Sequence, residues 1–140
     1  MRGPVSNHTG TLLLQQSLFV LQDGGTLPNT STIELRGGEL RIDNSNGAVP
    51  DRVNDLAAIN LGGGVLRITG PETLGTVTAV SGVTQVISNP ISETTPVPLV
   101  LTGFTRNIGA IVQLQAPDLG TAVVGAGTIG QPRISSRILL

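Results

Sequence analysis

A chain of 140 residues with 39% apolar content and a net charge of −1 can bury one core, but without cysteine it holds no disulfide and no thiolate metal site. Charged residues make up only 12% of it, against about 25% in an ordinary domain, and every basic residue is an arginine. No clustered basic face points to a nucleic-acid partner, and no run reaches the roughly 18 apolar residues of a membrane-spanning helix.

With two phenylalanines and neither Trp nor Tyr, the core must come from Val, Ile and Leu. β-Branched residues suit a pleated sheet, while Thr and the 19 glycines disfavour helix. The composition predicts an all-β protein.

In chain order, the N-terminal stretch is polar and carries the one histidine, His8, which reads as exposed; nothing around it resembles a nucleophile elbow. Residues 12–21 are apolar but interrupted by Gln15, Gln16 and Ser17, and lack the charged start and cleavage site of a signal peptide. Any export signal is expected outside this sequence. Residues 33–43, IELRGGELRID, alternate apolar and polar on both sides of a glycine pair, a period-two pattern that predicts strand. Asp43-Asn44-Ser45-Asn46-Gly47 reads as a turn cluster, and Asp51 is placed to cap a single helical turn over 52–57. Residues 59–69, INLGGGVLRIT, repeat the earlier alternation. Pro90, Pro96 and Pro98 argue against a central strand across 88–98, whereas 97–104 and 109–116 read as good strands. From Leu119 to Gly130 the composition is Gly, Ala, Thr and Val, with no alignable repeat.

The two clearest segments align at an offset of 26, matching Ile33 with Ile59, Leu35 with Leu61, Gly37-Gly38 with Gly63-Gly64, Leu40 with Leu66, Arg41 with Arg67 and Ile42 with Ile68. A half-offset of 13 suggests a weaker copy in Val20, Gly24, Gly25 and Leu27, and Val77-x-Ala79-x-Ser81-Gly82 suggests a looser later one. The glycine pair permits the positive φ of a sharp change of direction. That corner fits either a hairpin or a bend between stacked strands. Recurrence favours the stack, in which each unit buries its apolar face against the next. The expected fold is a parallel β-helix or similar solenoid over residues 1–140, a single module with its clearest repeat over 20–74; an antiparallel sandwich or barrel is the alternative.

From about Gly24 to Leu74 the sequence resembles the autotransporter-associated β-strand repeat, found in very large exported bacterial proteins. The resemblance rests on Gly37-Gly38-Glu39-Leu40 and on Gly63-Gly64-Val65-Leu66-Arg67-Ile68-Thr69-Gly70, each after an apolar strand. Asp51-Arg52-Val53-Asn54-Asp55 resembles the loop before the next strand, and Glu72–Val77 the strand that follows. It implies a right-handed parallel β-helix on an extracellular or bacterial cell surface, in a fragment of a larger passenger region or a short stand-alone relative. It brings no catalytic, metal or cofactor-binding residue.

The candidate sites have plainer readings. Asp43–Gly47 looks like a calcium loop, but its glycine falls at the fifth position and Asn54, not Glu, stands at the twelfth; an Asx turn explains the same residues. Glu34 with Glu39, or Asp51 with Asp55, are the carboxylate pairs a glycosidase would use. Together with Arg36, Arg41, Arg52 and Arg67 they read as a mixed, solvated surface. Gly24-Gly25 and Gly62-Gly63-Gly64 lack the helix and lysine of a phosphate loop. Asn7-His8-Thr9 and Asn29-Thr30-Ser31 match the glycosylation acceptor, which counts only in a eukaryotic secretory context. The expectation is a non-catalytic structural or adhesive module without cofactor, partnered by neighbouring repeats or by its own ends. A carbohydrate-active enzyme fragment or a surface module binding a glycan or protein is the alternative.

Overall fold

The computed structural model describes residues 7–47, 49, 51–91 and 99–116. Among these there is no helix. Eight strands run in order: β1 (Thr11–Leu21), β2 (Thr32–Asp43), β3 (Ala58–Leu61), β4 (Gly64–Thr69), β5 (Glu72–Ala79), β6 (Val83–Asn89), β7 (Leu99–Arg106) and β8 (Ile111–Gln115). Every pairing between them is parallel, which removes the antiparallel alternative.

The pairing forks at β2, whose first half bonds to β3 and second half to β4, with β1 along its other side. The described residues thus make five tiers, namely β1, β2, β3 with β4, β5 with β6, and β7 with β8. Ile33 lies beside Ile59 and Leu40 beside Leu66, at the 26-residue offset read from the sequence. Other steps differ: Leu12 pairs with Ile33 at 21 residues, and Ile59 with Val77 at 18.

Within β2 the buried positions are Ile33 and Leu35, then Leu40 and Ile42, so the inward parity changes across Gly37-Gly38. Both glycines sit at φ +80°, a conformation open to Gly at little cost. In tier 3 the same change falls between Leu61 and Leu66, across Gly63 and Gly64. Inward side chains stack into columns, the fullest being Phe19–Leu40–Leu66–Val86–Leu114 and Leu12–Ile33–Ile59–Val77–Phe104. Its middle members Ile33, Leu40, Ile59 and Leu66 are wholly buried. Burying each contributes about 1.5–3 kcal/mol, which explains why the tiers hold register. A shorter third row runs through the bridge Leu27↔Val53 and, above it, Leu74 beside Leu101.

Two local expectations are corrected. The half-offset copy at Val20–Leu27 is not a tier: Val20 pairs with Arg41, and Gly24-Gly25 lie in the turn after β1, where Gly25 N–H donates to Gln22 O. The first tier is residues 11–21, and its corner, Gln16-Ser17, lacks the glycine pair; Gln16 carries the positive φ itself, at 48°. Residues 52–57 form no helical turn, because Val53 pairs with Leu27 and the loop is held to tiers on either side of it. The looser copy at Val77–Gly82 is a real tier, with Val77 beside Ile59. The strands expected over 97–104 and 109–116 correspond to β7 and β8; the segment 119–130 and most of 88–98 lie outside the described residues.

Candidate functional site

The polar residues fall on two sides of the stack. On the outward face of the strands, alternation leaves every second side chain in solvent. Glu34 pairs with Arg36 of its own strand at 2.7 Å, beside a shallow groove of about 400 Å³ lined by both residues with Asn60, Gly62, Val80 and Ser81. Beyond the corner, Glu39 accepts from Arg41 Nε at 2.8 Å and from Arg67 Nε at 2.9 Å with one oxygen. Arg41 and Arg67 are register partners one tier apart, so Glu39 neutralises two cations that would otherwise repel. Burial alone would raise the Glu39 pKa, but the two arginine hydrogen bonds prevail and hold it below the usual carboxylate range.

The carboxylates considered for glycoside hydrolysis divide accordingly. Glu34 and Glu39 stand on opposite arms of a corner, each engaged by arginine, and do not converge. Asp55 feels its neighbour: burial, then the Asp51 charge, raises the Asp55 pKa. Asp55 Oδ1 is buried without a hydrogen-bond partner. The Asp43–Gly47 cluster forms the Asx turn, with Ser45 N–H donating to Asp43 Oδ1 at 2.9 Å. Among the described residues no group of three or more His, Asp or Glu is placed to hold a metal ion. His8 meets Thr30, its Nδ1 lying 3.2 Å from the hydroxyl.

The loop side departs from the sequence reading. Arg52, expected on a solvated surface, is 1% exposed. Its Nη1 donates to Asp23 O at 2.8 Å and to Gly25 O at 2.9 Å, and its Nε donates to Asn44 Oδ1. Asn44 is also wholly buried; its Nδ2 donates to Pro71 O at 2.7 Å and, more weakly, to Glu72 Oε2 at 3.4 Å. The other Glu72 oxygen accepts from Val53 N–H at 3.0 Å. Burial, opposed by those two hydrogen bonds, pushes the Glu72 carboxyl up to about 7. One guanidinium, one amide and one carboxyl thus tie together the turn after β1, the end of β2, the loop before β3 and the start of β5. Nothing in the spacing of Asn44, Arg52 and Glu72 marks them, because two stand in the connection from β2 to β3 and the third opens β5.

No family model, no curated protein and no solved structure matches this chain.

Proposed function

We propose that the chain is a non-catalytic structural or adhesive module of an exported bacterial surface protein, built as a right-handed parallel β-helix of the autotransporter-associated repeat kind. One observation carries this reading: equivalent aliphatic residues lie in parallel register through successive tiers, as at Ile33, Ile59 and Val77. Such an array extends by adding tiers, each about 4.8 Å deep, without a new core having to be designed. Neighbouring repeats, or the ends of like molecules, are its natural partners, because terminal strands expose unpaired backbone. Ion-paired outward carboxylates favour a solvating surface over a reaction centre.

Inserting a second copy of residues 33–58 after Ala58 tests it. The lengthened protein should stay folded and gain about 4.8 Å in maximum dimension by small-angle scattering. A 13-residue insert, residues 33–45, should instead disrupt the register. Unfolding by the full-length insert, or no gain in length, would overturn the proposal.

The groove beside Glu34, Arg36 and Asn60 favours a second reading, a binding module that recognises a glycan or protein through one sheet face. Glycan-array binding lost in Arg36→Ala would support it; no signal on sugars or on candidate surface proteins would remove it.

A further inference from the structure

We propose that Asn46-Gly47, in the turn after β2, is a self-modifying site. There the Gly47 backbone nitrogen closes on the Asn46 side chain, expels ammonia and converts the asparagine to aspartate or isoaspartate. Both residues are exposed. Among the described residues no hydrogen bond holds the Asn46 carboxamide or the Gly47 N–H. A Cβ on Gly47 would meet nothing within 4 Å, so neither a side chain of its own nor a neighbour crowds the nitrogen, and its φ of +119° belongs to glycine.

Two residues earlier the fold blocks the same chemistry. Asn44-Ser45 also sets an asparagine before a small residue. Yet Asn44 is wholly buried, its Oδ1 accepts from Arg52 Nε, and its Nδ2 donates to Pro71 O. The nitrogen that would have to attack, Ser45 N, donates to Asp43 Oδ1 at 2.9 Å. Asn54 is held likewise, donating to Thr30 O and accepting from Leu56 N–H. Asn29 precedes Thr30, whose N–H donates to Leu27 O at 3.5 Å. Asn89 precedes Pro90, which has no N–H, and Asn7, Asn60 and Asn107 precede the bulkier His8, Leu61 and Ile108.

The conversion needs only water as co-reactant. Gly47 N gives its proton to solvent base and bonds to Asn46 Cγ; the Cγ–Nδ2 bond breaks, and Nδ2 takes up a proton and leaves as ammonia. Water then opens the cyclic imide. Attack at Cγ restores the ordinary backbone with an aspartate side chain. Attack at the Asn46 backbone carbonyl carbon leaves the chain running through Cβ and Cγ, one carbon longer, with the former main-chain carbonyl as a free carboxylate. Either product adds one negative charge to a chain whose net charge is −1. The extra carbon enters the connection between β2 and β3, outside the inward columns, so the tiers should hold.

The experiment ages the whole chain at neutral pH and maps the tryptic peptide 42–52, which carries both Asn44 and Asn46, by fragmentation mass spectrometry. Asn46 should gain the mass difference between an amide and an acid, with isoaspartate detected by isoaspartyl methyltransferase labelling. The rate should rise with pH, because the amide must lose its proton. Asn44 should convert at least about tenfold more slowly, since its side chain is released only when the loop opens. In urea that ratio should shrink, because both asparagines are then free. Gly47→Ala should slow conversion at Asn46 about tenfold by crowding the nitrogen with a Cβ. The ratio is read on the unaltered chain, so it decides even if Gly47→Ala folds poorly. Equal rates at Asn44 and Asn46 in the folded chain, conversion at Asn46 only in urea, or a ratio that unfolding leaves unchanged would each overturn the proposal.

Discussion

The strand side and the loop side of this molecule solve one problem, holding tier on tier, by different chemistry. On the strand side the solution is repeated: aliphatic over aliphatic, glycine pair over glycine pair, arginine over arginine with a glutamate between. On the loop side, among the described residues, it is made from Arg52, Asn44 and Glu72. Repetition spreads the stabilisation over many equivalent contacts. The Arg52–Asn44–Glu72 cluster concentrates it in a few hydrogen bonds around buried charge, and its members cannot be exchanged one at a time.

The largest effect should come from breaking a column. Leu66 is wholly buried between Leu40 and Val86, and Leu66→Asp would put an unpaired carboxylate there. The cost should exceed the typical total stability of about 5–15 kcal/mol. Circular dichroism should show loss of the β signal, as it should for Leu40→Asp; a folded Leu66→Asp would mean that the column is not the core.

The corners come next and show a difference within each pair. A Cβ on Gly38 would lie 2.2 Å from Ser17 O, and one on Gly64 2.6 Å from Gly38 O, so backbone blocks backbone up the stack. A Cβ on Gly37 meets nothing nearer than Gln16 Cγ at 3.4 Å. Gly38→Ala should then cost about 4 kcal/mol or more, from strain plus collision, and Gly37→Ala only about 1–2 kcal/mol, from its φ alone. Chemical denaturation of the two variants checks this; equal losses would show that φ, not tier spacing, selects both glycines.

These corners explain what the sequence disclosed. Gly38 and Gly64 are legible because a backbone-on-backbone contact admits one residue type, Gly37 and Gly63 because their positive φ favours glycine, and the columns are legible because Ile and Leu recur at fixed steps from each corner. The first tier escaped notice because Gln16 adopts φ 48° and needs no glycine, so its apolar run reads as broken at the point where it bends. Steps of 21 and 18 residues in place of 26 blur alignment further, since return loops vary while strands do not. Arg52 misled for another reason. Composition counts it with solvent-facing arginines, and only the fold brings Asp23 O, Gly25 O and Asn44 around it.

Removing that arginine should come third in size. Arg52→Ala takes a donor from the buried Gly25 carbonyl, from the buried Asn44 amide oxygen and from the Asp23 carbonyl, and withdraws the cation that favours Glu72 ionisation. The expected loss is about 3 kcal/mol. Arg52→Lys should recover only part of it, since one ammonium cannot span the same fork. Full recovery by lysine would reduce the role of Arg52 to that of a point charge.

The smallest effect is the sharpest contrast between the two sides. Glu39 and Glu72 are both glutamates touching neighbours in adjacent tiers, yet their shifts have opposite sign. With its folded pKa below 4.5, Glu39 contributes stability that is present above that value and lost as pH falls through the folded pKa. Glu72 contributes in acid and loses its contribution as pH rises toward about 7. Glu39→Gln should therefore cost only about 0.5–1 kcal/mol at pH 7, as a partly exposed ion-pair network does, and should cost nothing once the carboxylate is protonated in acid. It should also steepen sensitivity to low salt, because Arg41 and Arg67 then face each other one tier apart without their shared anion. Denaturation midpoints at pH 3 and pH 7, each at two salt concentrations, measure both effects; a loss that persists at pH 3 would place the value of Glu39 in packing rather than in charge.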